Sequence, residues 1–215
     1  MKHKLLAPLT FFRQTLCNFR TTGAVAPSSR YLARAMVECL PEGKQVPKDF
    51  LILEVGAGTG AFTEAIVDRL DGHGRVHLCE LNDSFARHLA ARLSHERRFA
   101  RMKDRIQLIH GDVRRLPDGP AYSAIISGLP FNCFTGSEVR GLLEHFRGLL
   151  KSHGTLSFFE YLAIRQMQAP FIGAKHRSRL HDVSRVVREF VARHQFHEKV
   201  VLVNLPPARV RHLRF

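Results

Sequence analysis

The spacing of apolar residues changes character at Phe50. Before it, Leu5, Leu9, Phe12, Leu16 and Phe19 recur at intervals of 4, 3, 4 and 3 residues. That spacing predicts a helix over residues 3–20 with all five on one face. Lys2, Lys4, Arg13 and Arg20 lie around it. Residues 21–29 (TTGAVAPSS) read as a turn-rich segment, with Ser28 or Ser29 as the N-cap of a helix from about Arg30 to Leu40. Residues 41–49 read as a loop. Beyond Phe50, short apolar runs alternate with helical stretches. Strands are expected at 51–55, 75–80, 105–110, 121–127, 155–161, 198–204 and 208–213. Helices are expected from the glycines after Val55 to about Leu70, and at 83–93, 137–151 and 182–194. Strands alternating with helices predict a parallel sheet in a doubly wound α/β fold.

Length and charge narrow this picture. A chain of 215 residues fits one α/β domain, and 45% apolar with 24% charged residues excludes wholesale disorder. No run approaches 18 apolar residues, so a transmembrane helix is not expected. The first 20 residues lack the unbroken apolar core of a secretory signal. Cys17, Cys39, Cys79 and Cys133 are scattered, which predicts neither a zinc site nor a disulfide framework and suits a reducing cytosol. The net charge of +14 is uneven. Residues 1–49 hold 8 basic and 3 acidic residues, 50–130 hold 11 and 10, and 131–215 hold 14 and 6. Basic flanks around a near-neutral middle imply an anionic partner, a nucleic acid or an anionic membrane.

Candidate chemistry centres on residues 53–66, LEVGAGTGAFTEAI. A strand runs into a glycine-rich turn that opens a helix, where bare backbone can approach a ligand and helical N–H groups are unpaired. Glu80 follows Gly60 by twenty residues, at the end of the second strand, where a carboxylate can accept from both ribose hydroxyls of a nucleoside. Gly56, Gly58 and Ala61 also fit a loose dinucleotide pattern, so this turn alone leaves NAD open. Glu54 before the alternating Gly56, Gly58 and Gly60, and Gly111-Asp112 ending the third strand, separate the two.

With these residues the chain resembles class I S-adenosylmethionine-dependent methyltransferases over roughly residues 50–215. The resemblance implies a Rossmann-like sheet of seven strands, mostly parallel, carrying an N-terminal amphipathic helical extension over residues 1–49. It implies Gly56, Gly58 and Gly60 under the methionine part of the cofactor, Glu80 on the ribose and Asp112 near the adenine, with Thr59, Asn82 and Val113 as further cofactor-binding residues. Ser127 then ends the fourth strand beside the cofactor, and Glu54 orders the turn or reaches the methionine amine through water. No metal is expected.

GLPFNCF (128–134) lies where amine methyltransferases place their substrate loop. Enzymes that methylate adenine in nucleic acid carry Asn or Asp at its first position; here Gly128 offers no side-chain acceptor. The segment 19–36, above all GAVAPSS, together with GLPF, FFEYLAIR (158–165) and NLPPARV (204–210), resembles small bacterial phospholipid N-methyltransferases of the peripheral type. That resemblance implies methylation of the amino head of phosphatidylethanolamine toward phosphatidylcholine, at the inner face of the cytoplasmic membrane. The helix over 3–20 agrees, since an amphipathic helix flanked by Lys and Arg docks on an anionic surface without crossing it.

For the acceptor, Tyr161 at the end of the fifth strand is expected to orient the amine, with Glu160 and His176 as further acid/base candidates. Gly128, Leu129, Pro130 and Phe131 would form the substrate loop. Ser28, Ser29, Arg177 and Arg179 would meet the lipid phosphate. Phe11 and Phe12 would meet acyl chains. An RNA methyltransferase related to the rRNA adenine dimethylases is the first rival, although nucleic acid has no use for helix 3–20. A noncatalytic basic module and an enzyme for another aminolipid, such as ornithine lipid, are the others.

Overall fold

A computed structural model describes residues 29–162 and 174–215, with the backbone alone for 174–177. The helix expected over 3–20, with Leu5, Leu9, Phe12, Leu16 and Phe19, and the candidate Ser28 lie outside the described residues, as do the side chains of His176 and Arg177.

Seven strands form one sheet: β1 (Leu51–Val55), β2 (Arg75–Glu80), β3 (Ile106–His110), β4 (Tyr122–Ser127), β5 (Leu150–Tyr161), β6 (Gln195–Val201) and β7 (Ala208–Arg214). Their spatial order is β3-β2-β1-β4-β5-β7-β6. β7 runs antiparallel to both neighbours and the other pairings are parallel. Helices α1 (Arg30–Val37), α2 (Ala61–Leu70), α3 (Asp83–His95), α4 (Gly136–Leu149) and α5 (Ala174–His194) cover its faces. The doubly wound sheet with seven mostly parallel strands is thus the fold.

The central strands are continuously apolar because both faces are covered. Successive residues point to opposite sides. Ile52, Leu78, Ile126 and Phe159 join one core with Leu32 and Met36 of α1, Ile66 and Leu70 of α2, and Leu89 of α3. Leu53, Cys79, Ile125 and Phe158 join the other with Leu142 and Phe146 of α4 and Val183 and Val187 of α5. α1 therefore shares the core of the domain, although residues 30–49 are assigned by sequence to the extension. Its start follows local chemistry: the Ser29 hydroxyl accepts from the Leu32 N–H at 3.2 Å, as expected of the N-cap.

Three boundaries differ from expectation. β5 begins at Leu150 rather than near Thr155, and α5 begins eight residues before Asp182. β6 covers 195–201 rather than 198–204. The apolar run 200–203 imitates a strand, but the pairing of Val201 with Ala208 ends the ladder and turns the chain there.

Candidate active site

The parallel strands bring their carboxyl ends to one edge. Val55 pairs with Cys79 on one side and with Ser127 on the other, and Ser127 with Phe158. Beyond these ends the backbone continues the ladder: Gly56 N–H donates to Cys79 at 2.8 Å, Gly128 N–H to Val55 at 2.8 Å and Gly111 N–H to Glu80 at 2.9 Å. Three loops are thereby held abreast, at the crevice where such sheets take ligands.

Gly56, Gly58 and Gly60 hold φ of 71°, 56° and 89°, values that L side chains rarely adopt. A side chain on Gly58 would meet nothing closer than 3.9 Å, so the loop leaves open space above its backbone. The Gly58 N–H donates to Glu80 Oε2 at 2.8 Å, and the Asn82 N–H donates to Oε1 at 2.7 Å. Burial raises the Glu80 pKa and these backbone bonds oppose it. Each carboxylate oxygen keeps a lone pair for a further donor. Asn82 itself caps α3, its Oδ1 accepting from Phe85 N–H at 3.1 Å. From behind, Arg92 of α3 donates to the Thr59 carbonyl while binding Glu64 and Glu96, which locks the loop to two helices.

Glu54 is wholly buried; its Oε2 accepts from the Thr63 hydroxyl at 2.7 Å and its Oε1 has no hydrogen-bond partner among the described residues. Desolvation pushes its pKa up to about 8, against the Thr63 bond and with help from the Glu80 charge. The carboxyl is therefore mostly protonated at neutral pH.

Beside Glu80 lies a cavity of about 60 Å³ walled by Val55, Cys79, Leu81, Val113, Leu129, Phe134 and Leu142, with Asp112, Arg114 and Glu138 at its rim. A largely apolar slot with the Asp112 and Glu138 carboxylates at its rim suits an adenine ring. Desolvation works against ionisation of Asp112, but the bonds from Arg114 outweigh it and its pKa falls. Ser127 is buried beneath, its hydroxyl accepting from Leu129 N–H at 3.4 Å. The residues present fit S-adenosylmethionine: an open glycine turn, a carboxylate pair of oxygens for the ribose, and an apolar slot for the base. Leu81, Phe134, Glu138 and Leu142 complete this lining without belonging to the glycine motif, and Leu129, expected in the substrate loop, lines this cavity rather than the one beside Tyr161.

A second cavity, of about 40 Å³, opens at the end of β5 between Pro130, Phe131, Asn132, Phe159, Glu160, Tyr161, Leu180 and Val183. Tyr161 is held edge-on against Phe159, ring centres 5.0 Å apart, and burial raises the pKa of its hydroxyl. Phe131 is almost wholly buried and packs on Phe158 at 5.1 Å. Glu160 accepts from Arg211 Nε at 2.9 Å, and the same guanidinium binds Glu198 at 3.0 Å, so two carboxylates share one cation. Arg179 precedes Leu180 on α5 and is partly buried. Arg209 is a cation that sequence reasoning passes over: it pairs in register with Glu160, and its Nε is buried without a partner among the described residues.

Gly128 is glycine for a steric reason. A Cβ there would stand 2.7 Å from the Gly56 carbonyl oxygen and 3.3 Å from that of Val55. The close approach of the first and fourth strand loops leaves no room for an asparagine.

Among the described residues, one group could hold a metal ion: Cys39, His197 and His212, at the outer β6–β7 edge and away from both cavities. No described helix is long and apolar enough to cross a membrane.

Known proteins agree with this geometry. A family model described as a methyltransferase domain matches residues 52–154. An ornithine lipid N-methyltransferase of Singulisphaera acidiphila is 32% identical over 141 residues, 62% of this chain and 67% of that one. A ribosomal RNA small subunit methyltransferase A of Streptomyces coelicolor is 37% identical over 91 residues, but these are 41% of this chain and only 30% of the relative. The solved O-methyltransferase of Bacillus cereus, in complex with SAH, superposes with a TM-score of 0.58 at 12% identity, covering 96% of this chain and 91% of that one. A chain with this strand order, spanning two thirds of a lipid methyltransferase at that identity, belongs to the class I S-adenosylmethionine-dependent methyltransferases, and S-adenosylmethionine is its cofactor.

Proposed function

We propose that this chain methylates the primary amine of a membrane aminolipid, phosphatidylethanolamine or an ornithine lipid, at an anionic bilayer surface. The observation that carries the reading is the match to a lipid N-methyltransferase across two thirds of its length. The acceptor cavity supports it. Its walls are mainly aromatic and aliphatic, with Asn132 beside them, and its one carboxylate pairs with Arg211, which it shares with Glu198.

S-adenosylmethionine supplies an electrophilic methyl on a sulfonium. Gly56, Gly58 and Gly60 would cradle its methionine part, Glu80 would accept from the ribose, and the slot beside Asp112 would enclose the adenine. What the protein adds is mainly alignment of the amine lone pair with the sulfur–methyl bond. An alkyl amine, like lysine with its pKa near about 10.4, is protonated in water at neutral pH. The apolar walls of Phe159, Tyr161, Leu180 and Val183 disfavour that cation and so favour the reactive neutral amine. The Tyr161 hydroxyl orients the nitrogen, and its ring accommodates methylated products. Arg179, next to Leu180 in the chain, and Arg209, in register with Glu160, suit a headgroup phosphate.

Methylation of rRNA adenine is the competing reading, given the shorter match to an rRNA methyltransferase. The steric exclusion of an asparagine at position 128 weighs against it. The deciding experiment supplies methyl-labelled cofactor with vesicles of phosphatidylethanolamine, vesicles of ornithine lipid, or unmodified small-subunit rRNA. Label in one of the lipids is expected; label in RNA alone would reject the proposal.

A further inference from the structure

The turn between β6 and β7 holds the three most exposed large apolar residues among those described: Leu202 at 71%, Val203 at 65% and Leu205 at 79%. The turn is not loose. Buried Asn204 accepts from the Ser29 N–H at 3.2 Å and donates to the Pro206 carbonyl at 2.7 Å. The Leu162 N–H donates to the Pro207 carbonyl at 2.8 Å. A polar side chain is thus turned inward and spent on holding the backbone while its apolar neighbours face out, the reverse of an ordinary solvated turn.

Position gives this turn a meaning. Tyr161 pairs with Ala208, and Ala208 with Val201, so the turn projects from the same sheet edge as the acceptor cavity. Tyr31, also exposed, and Val200 extend the apolar surface along an open groove beside α1. The charges around that groove are unequal. Glu38 is bonded to His197 and Lys199, Glu42 to Arg69, Glu64 to Arg92 and Arg98, and Asp68 to Arg98. Arg30 and Arg34 have no carboxylate partner among the described residues, leaving a positive balance beside the exposed leucines. Apolar side chains rimmed by unneutralised arginines complement an anionic lipid surface, where the chains enter the boundary and the cations meet the headgroups.

We propose that the β6–β7 turn inserts Leu202, Val203 and Leu205 into an anionic bilayer, setting the catalytic edge of the sheet against the membrane. The identity of the surface rests on the aminolipid reading; the insertion does not require that any lipid be methylated.

The test uses the full chain, which contains no tryptophan. A Leu202→Trp variant carries the sole indole, at the turn itself. Vesicles of phosphatidylethanolamine and phosphatidylglycerol should shift its emission to the blue, and brominated acyl chains should quench it. Emission that vesicles leave unchanged overturns the proposal. Emission already blue before vesicles, and unmoved by them, overturns it too, by showing that the turn is covered in the free protein. A Leu202→Asp, Leu205→Asp double variant should bind the same vesicles at least about tenfold more weakly. It should keep its affinity for S-adenosylhomocysteine, which separates lost docking from lost folding. Label in RNA alone in the methylation assay would reject the aminolipid substrate without touching this result, and an uninserted indole would reject the docking without touching the substrate.

Discussion

Two glycines in this chain look alike in sequence and differ in consequence. At Gly128 a Cβ meets backbone oxygen at 2.7 Å, whereas at Gly141, exposed on α4, it meets nothing within 4 Å. Gly128→Ala should therefore destabilise the fold by about 1–3 kcal/mol, the usual range for overpacking. Gly141→Ala should stabilise it by about 0.5–1 kcal/mol through helix propensity. Urea titrations of both variants check the pair. Glu54 yields a pH test. Its folded pKa of about 8 exceeds its ordinary 4.5, so the folded state retains a proton that the unfolded chain has lost between those values. Its contribution to stability is complete below 4.5 and is lost as pH rises toward 8. A Glu54→Gln variant should lose that decline, and its unfolding midpoint should rise relative to the parent across the window. Glu80→Ala should weaken S-adenosylhomocysteine binding by about 1–3 kcal/mol, the usual loss for hydrogen bonds to a charged acceptor, as measured by calorimetry. Unchanged affinity would put the ribose elsewhere.

Among the elements, legibility followed locality. β1, β2 and β4 and the Ser29 cap were readable because apolar runs, glycines and a capping hydroxyl act within a few residues of themselves. The start of β5 and the end of β6 were not, because a strand ends where its partner stops pairing, and the partner lies far along the chain. The same is true of the apolar cavity beside Glu80, whose walls come from β1, β2, α4 and four loops. Asn204 joins two such distant elements, α1 and the β6–β7 turn. Asn204→Ala should cost about 1–3 kcal/mol by leaving the half-buried Pro206 carbonyl and Ser29 N–H without their partner. Hydrogen exchange should quicken at residues 29–32 and 202–205 together; a change confined to the turn would deny the coupling.

At the scale of the whole molecule, the basic flanks and the exposed turn bear on one partner. Stable membrane attachment commonly takes two signals acting together. Deleting residues 1–19 should therefore remove most sedimentation with anionic vesicles, and raised salt should weaken what remains; undiminished binding would deny that segment its role. From the order of residues alone came the alternation of strands and helices, the cofactor turn and the candidate Tyr161, since each rests on periodicity or on a motif of contiguous residues. Folding decided why position 128 must be glycine, that Glu160 and Glu198 share Arg211, and that a strand-like run of leucine and valine ends as an exposed turn at the carboxyl edge of the sheet. Those facts depend on which backbones approach one another across the sheet, and such distances are set by packing between segments remote in the chain.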